Sequence, residues 1–499
     1  MLVRTIKGAS VMRKGAMVGL GLVMAMAGAG CAKGSAASPA KTPEANGIAV
    51  ASSPDRPSTN ETENEKRTGH NASGAWIGAA AEGDMLLSGT SETFLGVWVD
   101  VPDARPETRP PMELALVVDT SGSMAGAKIE SARNAAAMLV RSLKDDDIVA
   151  LDAFADNART VVPPTRLGPH SRQDILRAIA GLTVSGSTNM FEGLTLAEGQ
   201  VAAAPPTHSI RRVVVISDGI ANVGPSTPES LGAIAERGLR FRAQVTSLGV
   251  GNDYDERTLN ALAVKSSGRL YHLSEPREMA SILAGELALL DATLASDSFV
   301  EIVPAPGVQL MGTDGIRADW SDGGALRIPL GALHAGQHRE ALVRVRIADP
   351  ARFEGQTRSL ASVRLRFRDA QDSDLERVQE IVARTQLTGD ANAVSAHVSS
   401  RTKAIMAIQE SAKIQMAAAQ RINDGQFMDA DKELARAEAA LAAQARVVKA
   451  PAEKKRIEQA QTKVAAARAS AQSMPAKPKA VQRSEALDMN ASGMRDMGF

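Results

Sequence analysis

An unbroken apolar run, Leu114-Ala115-Leu116-Val117-Val118, opens directly into Asp119-Thr120-Ser121-Gly122-Ser123. A run with no polar break is ill suited to a strand wet on one face. It reads as a strand covered on both sides, which places it in a parallel sheet wrapped by helices. Two later segments answer it. Val213-Val214-Val215-Ile216 runs into Ser217-Asp218-Gly219, and the loop Gly186-Ser187-Thr188-Asn189 lies between them. In an open α/β sheet, such strand ends and the loops beside them form the ligand-binding edge. Asp119, Ser121, Ser123, Thr188 and Asp218 bring three hydroxyls and two carboxylates to that edge. Short oxygen ligands with few charges suit a hard cation that keeps several waters. Asp and Ser also cap helices and make turns, so D-x-S-x-S alone says little. The order of the three segments carries the reading.

The surrounding chain repeats the β-α theme from Met112 to about Leu290. Candidate strands are Glu113–Val118, Ile148–Phe154, Arg159–Val162, Arg212–Ser217, Ala243–Val250 and Arg269–Leu273. Candidate helices lie between them; in Lys128–Leu143, residues Ile129, Ala132, Ala136, Leu139 and Leu143 share one face. Asp145-Asp146-Asp147 reads as a solvated turn rather than a second metal site. On either side of this region the pattern changes. Thr93–Val101 is aromatic and β-branched, and Val343–Ile347 and Val363–Phe367 alternate strictly between apolar residues and arginine. Such alternation belongs to antiparallel sheets with one wet face.

The D-x-S-x-S run, the threonine loop and the strand-terminal aspartate together resemble the metal-ion-dependent adhesion site of the von Willebrand factor A family. The resemblance implies a doubly wound, mostly parallel α/β sheet of Rossmann-like layout. It implies Ser121 and Ser123 as direct ligands and Thr188 as a direct or water-mediated one. Asp119 and Asp218 would form an acidic surround acting through water or hydrogen bonds. The implied cation is Mg²⁺, or Mn²⁺ or Ca²⁺ in its place, and the implied partner is a protein supplying an Asp or Glu carboxylate to the ion. The flanking strands would form a β-sandwich split around the A domain. That arrangement is similar to bacterial von Willebrand A proteins and the inter-alpha-trypsin-inhibitor heavy chains, over about residues 75 to 370.

Cys31 is the single cysteine, so no disulfide framework holds this chain together. Arg4, Lys7, Arg13 and Lys14 precede a short Gly-rich apolar stretch, and Ala29-Gly30 precedes the cysteine. This resembles a bacterial lipoprotein signal, with Cys31 as the lipidated residue; Gly28 departs from the usual aliphatic residue there. The other reading is an ordinary secretory signal cut nearby. Ala32 is not the aspartate that retains many such lipoproteins in the inner membrane, so the resemblance implies a lipid anchor in the outer membrane.

The expected divisions are a signal over 1–31, a disordered tether over 32–74 and a first sandwich part over 75–111. The A domain follows over 112–291 and the rest of the sandwich over 292–370. An Ala-rich helical hairpin or coiled-coil region is expected over 371–473, with one helix across Ala391–Asn423, and a loose tail over 474–499. The helices are expected to pack as a unit separate from the A domain.

Composition narrows function. With 57 basic and 57 acidic residues, no basic surplus argues for nucleic-acid binding. The chain has no G-x-S-x-G, H-E-x-x-H or P-loop sequence, and its histidines lack metal-ligand spacing. These features exclude the common enzyme signatures and point to binding. The expectation is a metal-dependent protein-binding or adhesion lipoprotein of the bacterial cell envelope. The alternative is an envelope scaffold that binds through its C-terminal helices, with a structural A domain. A partner ATPase of chelatase type is disfavoured by the export signal.

Overall fold

The computed structural model describes residues 74–497, apart from 105, 107, 219, 252, 253, 274 and 314. The expected signal with Cys31, and the tether before Gly74, lie outside the described residues.

Three strands come first: β1 (Ile77–Ala81), β2 (Met85–Leu87) and β3 (Glu92–Asp100). The chain then enters a β/α region. It runs through β4 (Met112–Asp119), α1 (Ala127–Ser142), β5 (Ile148–Phe154), β6 (Ala158–Arg166), α2 (Pro169–Ala180) and α3 (Met190–Ala202). It continues through β7 (Ile210–Ser217), α4 (Pro228–Gly238), β8 (Ala243–Val250), α5 (Glu256–Lys265), β9 (Arg269–Leu273) and α6 (Met279–Asp291). The sheet order is β6-β5-β4-β7-β8-β9, parallel except for edge strand β6. Every residue of β4 is buried, as its apolar run requires. Leu114, Leu116 and Val118 pack toward α1, α2 and α6. Ala115 and Val117 pack on the opposite face toward α3, α4 and α5. The two neighbours of β4 are reached by crossovers in opposite directions. The carboxyl ends of β4 and β7 are therefore the switch point of the sheet, the place where open α/β sheets bind ligands.

Arg109 fixes the entry to this region. Its Nη1 and Nη2 donate to the two oxygens of Asp147 at 2.7 and 2.5 Å, and its Nε donates to Asp291 at the end of α6. Asp147 also accepts the backbone N–H groups of Met112 (3.0 Å) and Lys144 (2.8 Å). The solvated-turn reading of Asp145–Asp147 is corrected here. Asp145 and Asp146 are exposed, but Asp147 is buried because it collects four donors.

The return leg builds the sandwich from β10 (Thr293–Pro304), β11 (Val308–Thr313), β12 (Asp319–Ser321), β13 (Ala325–His334), β14 (His338–Ile347), β15 (Thr357–Asp369) and β16 (Leu375–Thr388). One sheet has the order β1-β3-β14-β11 and the other β12-β13-β10-β15-β16-β2. The first strands do complete the sandwich: β3 lies antiparallel to β14, with Val97 opposite Ala341. The inner faces close on Leu95, Val97, Val343, Val345, Val363 and Leu365. Arg344 and Arg346 point outward, as the strict alternation predicts.

Residues 375–388 are a strand, not the start of the helical region. Ile381, Ala383, Thr385 and Leu387 alternate inward, and β16 pairs with β15 from Asp369↔Leu375 to Thr357↔Gln386. Its outward Glu and Arg residues hid that period. The single helix expected over Ala391–Asn423 is α7 (Ala391–Ala396) and α8 (Ser400–Asn423). Ser399 interrupts it as an N-cap, its Oγ accepting the Thr402 N–H at 3.2 Å. After them come α9 (Phe427–Val447), α10 (Pro451–Ser473) and α11 (Lys479–Asp496). The tail beyond 474 is thus helical, not loose. Too few apolar residues mark it in sequence, but Gly493 lets α11 approach α8 closely; a Cβ there would meet the Ala412 carbonyl at 2.9 Å. Among the described residues, no helix is long and apolar enough to cross a membrane.

The helices are not a separate unit. Ile405 of α8 packs with Trp98 and Leu342 on the outer face of the sandwich. Arg401 pairs with Asp100 (3.0 Å), Glu340 (2.7 Å) and Glu453 (3.0 Å). Leu487 of α11 belongs to the apolar cluster of the β/α region, beside which Asn490 donates to Glu256. The Ala-rich stripes foretold close helix packing, but not that part of that surface would close on two other layers.

Glu113, near the start of β4, is buried with neither carboxylate oxygen hydrogen-bonded to a described residue. Burial pushes its pKa up to about 7, partly opposed by Arg211. Raising a carboxyl pKa in the fold means that the folded protein holds the proton more tightly than the unfolded chain. The resulting penalty is absent below the ordinary carboxylate range, grows as pH rises from about 4.5, and is complete above about 7. Glu113→Gln removes it. The variant is expected to match wild type in urea denaturation at pH 4 and to exceed it by up to about 3 kcal/mol at pH 8. A stability difference that does not change with pH would contradict this.

Candidate metal centre

The site is built from the ends of β4 and β7 and two loops. As β4 leaves the sheet, Thr120 donates its N–H (2.8 Å) and its hydroxyl (3.0 Å) to the Phe154 carbonyl, fixing the turn. A short 3₁₀ turn, Gly122–Met124, follows, anchored by the fully buried Met124. The loop carrying Thr188 is stitched to this turn: Ser185 N–H donates to the Thr120 carbonyl (2.7 Å), and Gly122 N–H to the Gly186 carbonyl (3.1 Å). Gly186 has φ +72°, and a Cβ there would come within 2.1 Å of Asp156 Oδ2, so only glycine fits. Asp156 Oδ1 accepts the Ser187 N–H at 2.9 Å. Thr188 is held from the other side, its N–H donating to Asn222 Oδ1 at 2.9 Å and its carbonyl accepting the Asn222 N–H at 3.0 Å.

Four of the five expected residues, Asp119, Ser121, Ser123 and Asp218, are joined by hydrogen bonds, and Thr188 lies on the loop stitched to their turn. Ser121 and Ser123 place their hydroxyl oxygens 3.1 Å apart. Ser123 Oγ donates to Asp218 Oδ1 at 2.8 Å. Asp119 is buried and accepts the Ser121 N–H (2.8 Å) and the Ser217 hydroxyl (2.6 Å). Burial raises the Asp119 pKa above the ordinary carboxylate range, against hydrogen bonds from Ser121 and Ser217, and the charge of Asp218 adds to the rise. A cation between these groups would reverse that cost.

The donor set fits a hard divalent ion. It offers hydroxyls and carboxylates without sulfur or imidazole, as Mg²⁺ and Mn²⁺ prefer. The fold also places a cation at this point, because the Lys128 ammonium pairs with Asp218 Oδ2. Among the described residues there is no cluster of three or more His, Cys, Asp or Glu able to hold a metal. A site of this kind therefore depends on its hydroxyls.

Four contributors escaped the sequence reading. Ser217 immediately precedes Asp218, but its bond to Asp119 spans two strands. Asp156 and Asn222 act on backbone groups of the threonine loop, which no motif reports. Lys128 lies five residues beyond Ser123 on the first turn of α1. Its positive charge opposes a divalent ion at Asp218. Lys128→Met should raise Mg²⁺ affinity about tenfold, an effect that shrinks as salt rises; calorimetric titration at two ionic strengths reads it. Weaker binding in the variant would make Lys128 a support of the site rather than a competitor.

The doubly wound sheet carries these residues at its switch point and is inserted in sequence between strands of the sandwich. Residues 114–220 match the family model described as von Willebrand factor type A domain, and the chain contains that domain. The chain is 28% identical over 212 residues to the YfbK protein of Escherichia coli K12, a match covering 42% of this chain and 36% of that protein. It is 28% identical over 177 residues to inter-alpha-trypsin inhibitor heavy chain H3 of Mesocricetus auratus, covering 33% of this chain and 20% of that one. The chain thus spans well under half the length of these relatives. A solved von Willebrand factor type A structure from Catenulispora acidiphila shares the fold, with TM-score 0.64 at 19% identity over 75% of this chain and 89% of that one.

Proposed function

We propose that this chain binds a partner protein through a divalent cation held by Ser121, Ser123 and Thr188, with Asp119 and Asp218 around it. The observation that carries the reading is the convergence of the Ser121, Ser123 and Asp218 oxygens at the sheet's switch point. A bound Mg²⁺ or Mn²⁺ supplies a coordination position that attracts an outside carboxylate. The chain's own residues prepare that contact. Asp119 is oriented by Ser217 and the Ser121 N–H, and the threonine loop is pinned from both sides. With two carboxylates against a divalent ion, an Asp or Glu from the partner is a charge-matched addition.

The role is binding rather than catalysis. We place the protein in the bacterial cell envelope, lipid-anchored at Cys31 and most consistent with the outer membrane; the support is the basic, apolar and small-residue order of its N-terminal sequence. The scaffold alternative is less well supported, because the apolar residues of α8 and α11 are buried chiefly among the helices themselves, with Ile405 closing on the sandwich and Leu487 on the β/α region. Capture from envelope extract tests the proposal. The wild-type chain should retain a partner in Mg²⁺ and release it in chelator, and Thr188→Ala should retain none. A partner held equally well in chelator would overturn the metal-bridged mechanism.

A further inference from the structure

Away from the candidate metal centre, the β/α region and the sandwich meet over a group of three arginines, of which Arg212 is buried and Arg269 and Arg339 half-buried. Arg212 of β7 is 2% exposed, and Arg269 of β9 lies beside it. Both face one carboxylate, Glu286 of α6, at 3.5 Å each. Glu286 also accepts the hydroxyls of Thr246 (2.7 Å) and Tyr271 (3.0 Å). The Arg212 Nε is buried without a hydrogen bond to a described residue. From the sandwich side comes Arg339, on the inward-facing register of β14 shared with Ala341 and Val343. Its Nε is buried without a partner, and no carboxylate of a described residue lies within ion-pair distance of it.

Arg339 lines a cavity of about 50 Å³ whose walls include Val97, Val99, Val300, Ile328, Leu330 and Met497. Two other charged side chains reach the cavity; both have ion-pair partners, although Arg317 Nε and Glu340 Oε1 are, like Arg339 Nε, buried without a hydrogen bond to a described residue. Glu340 pairs with Arg401 (2.7 Å) and Arg456 (2.6 Å), and Arg317 with Glu236 (2.9 Å) and Asp319 (3.0 Å). Arg212 and Arg269 thus share one buried carboxylate, and Arg339 has none of its own. Burial, with Arg269 and Arg212 nearby, pulls the Arg339 pKa down to about 9, which still leaves it charged at neutral pH. The same guanidiniums, after burial, hold the His334 imidazole well below its ordinary pKa, so it is neutral and adds no charge. A buried charge without a counter-charge is costly, and arginine cannot escape by losing its proton.

We propose that the cavity beside Arg339 is a binding site for a small monoanion. The guanidinium fork matches a carboxylate in two-point contact, and the apolar walls suit its short chain. The volume exceeds that of one water site and admits a halide or a few heavy atoms. Occupancy would give Arg339 a counter-charge where the A domain and the sandwich meet.

Thermal unfolding of the full chain tests this, with sodium acetate, chloride or gluconate at matched ionic strength. Acetate or chloride should raise Tm saturably over gluconate, by about 2–4 °C at saturation. A rise with acetate alone identifies a carboxylate site, and one with chloride a halide site. Arg339→Met should abolish the rise, whereas Arg339→Lys should keep part of it. No saturable rise in wild type, or an equal rise in Arg339→Met, would overturn the proposal. Should Arg339→Met not fold, calorimetric titration of wild type with acetate and of Arg339→Lys with both anions decides. Absence of heat in wild type with acetate, together with no chloride effect on Tm, overturns it.

Discussion

Removing residues 375–499 is expected to leave no soluble, cooperatively folded chain. The deletion takes β16 away from β15 along its whole length, from Asp369↔Leu375 to Thr357↔Gln386. A long sheet edge is then exposed, which invites aggregation. It also uncovers Trp98 and Leu342, which Ile405 now covers, and leaves Asp100 and Glu340 without Arg401. On the β/α side it removes Leu487 from a cluster containing Tyr254, Leu259 and Leu262. Each of the larger losses costs about 2–5 kcal/mol. Together they exceed the roughly 5–15 kcal/mol that a typical domain has in reserve. Size-exclusion chromatography and a circular-dichroism melt of the truncated chain read the outcome. A soluble truncation with a wild-type melting transition would show that the helices and β16 are an appendage.

How much of this was legible follows from where each signal resides. The β4 run was visible because a strand buried on both faces must be apolar throughout, and the same reasoning located β5, β7 and β8. The arginine alternation in β14 and β15 gave the sandwich its wet faces. In β16, by contrast, inward Ala383 and Thr385 are small or polar and the outer positions are charged, so its period of two was faint. α11 has few apolar residues, and its place depends on Gly493 meeting α8, a contact between distant segments. Asp147 looked like part of a charged turn because nothing local reveals Arg109 folding over it from 38 residues away.

The candidate site was legible for a related reason. Asp119, Ser121 and Ser123 are contiguous, and Asp218 follows an apolar run of the same kind. Their order along the chain reflects their position at the sheet's switch point. The groups that hold the motif in place were not legible, since Ser217, Asn222 and Asp156 bond across strands and loops. The Lys128–Asp218 pair is likewise a product of α1 starting beside β7, not of any motif.

The second large effect is on the site itself. Asp119→Ala removes a buried carboxylate from the surround, and with it an acceptor of the Ser217 hydroxyl and of the Ser121 N–H. Those two losses cost about 1–3 kcal/mol each in stability, which a fold of this size tolerates. Thr188→Ala removes one oxygen but leaves the backbone bonds to Asn222 in place, so its loop keeps its position. Metal affinity should fall roughly 100-fold in the first variant and about tenfold in the second. Calorimetric titration with Mg²⁺ and Mn²⁺, beside circular dichroism of each protein, makes the comparison. The account predicts one saturable site in wild type, weakened in both variants with the fold retained. Unchanged affinity in both variants, or no saturable binding in folded wild type, would contradict it.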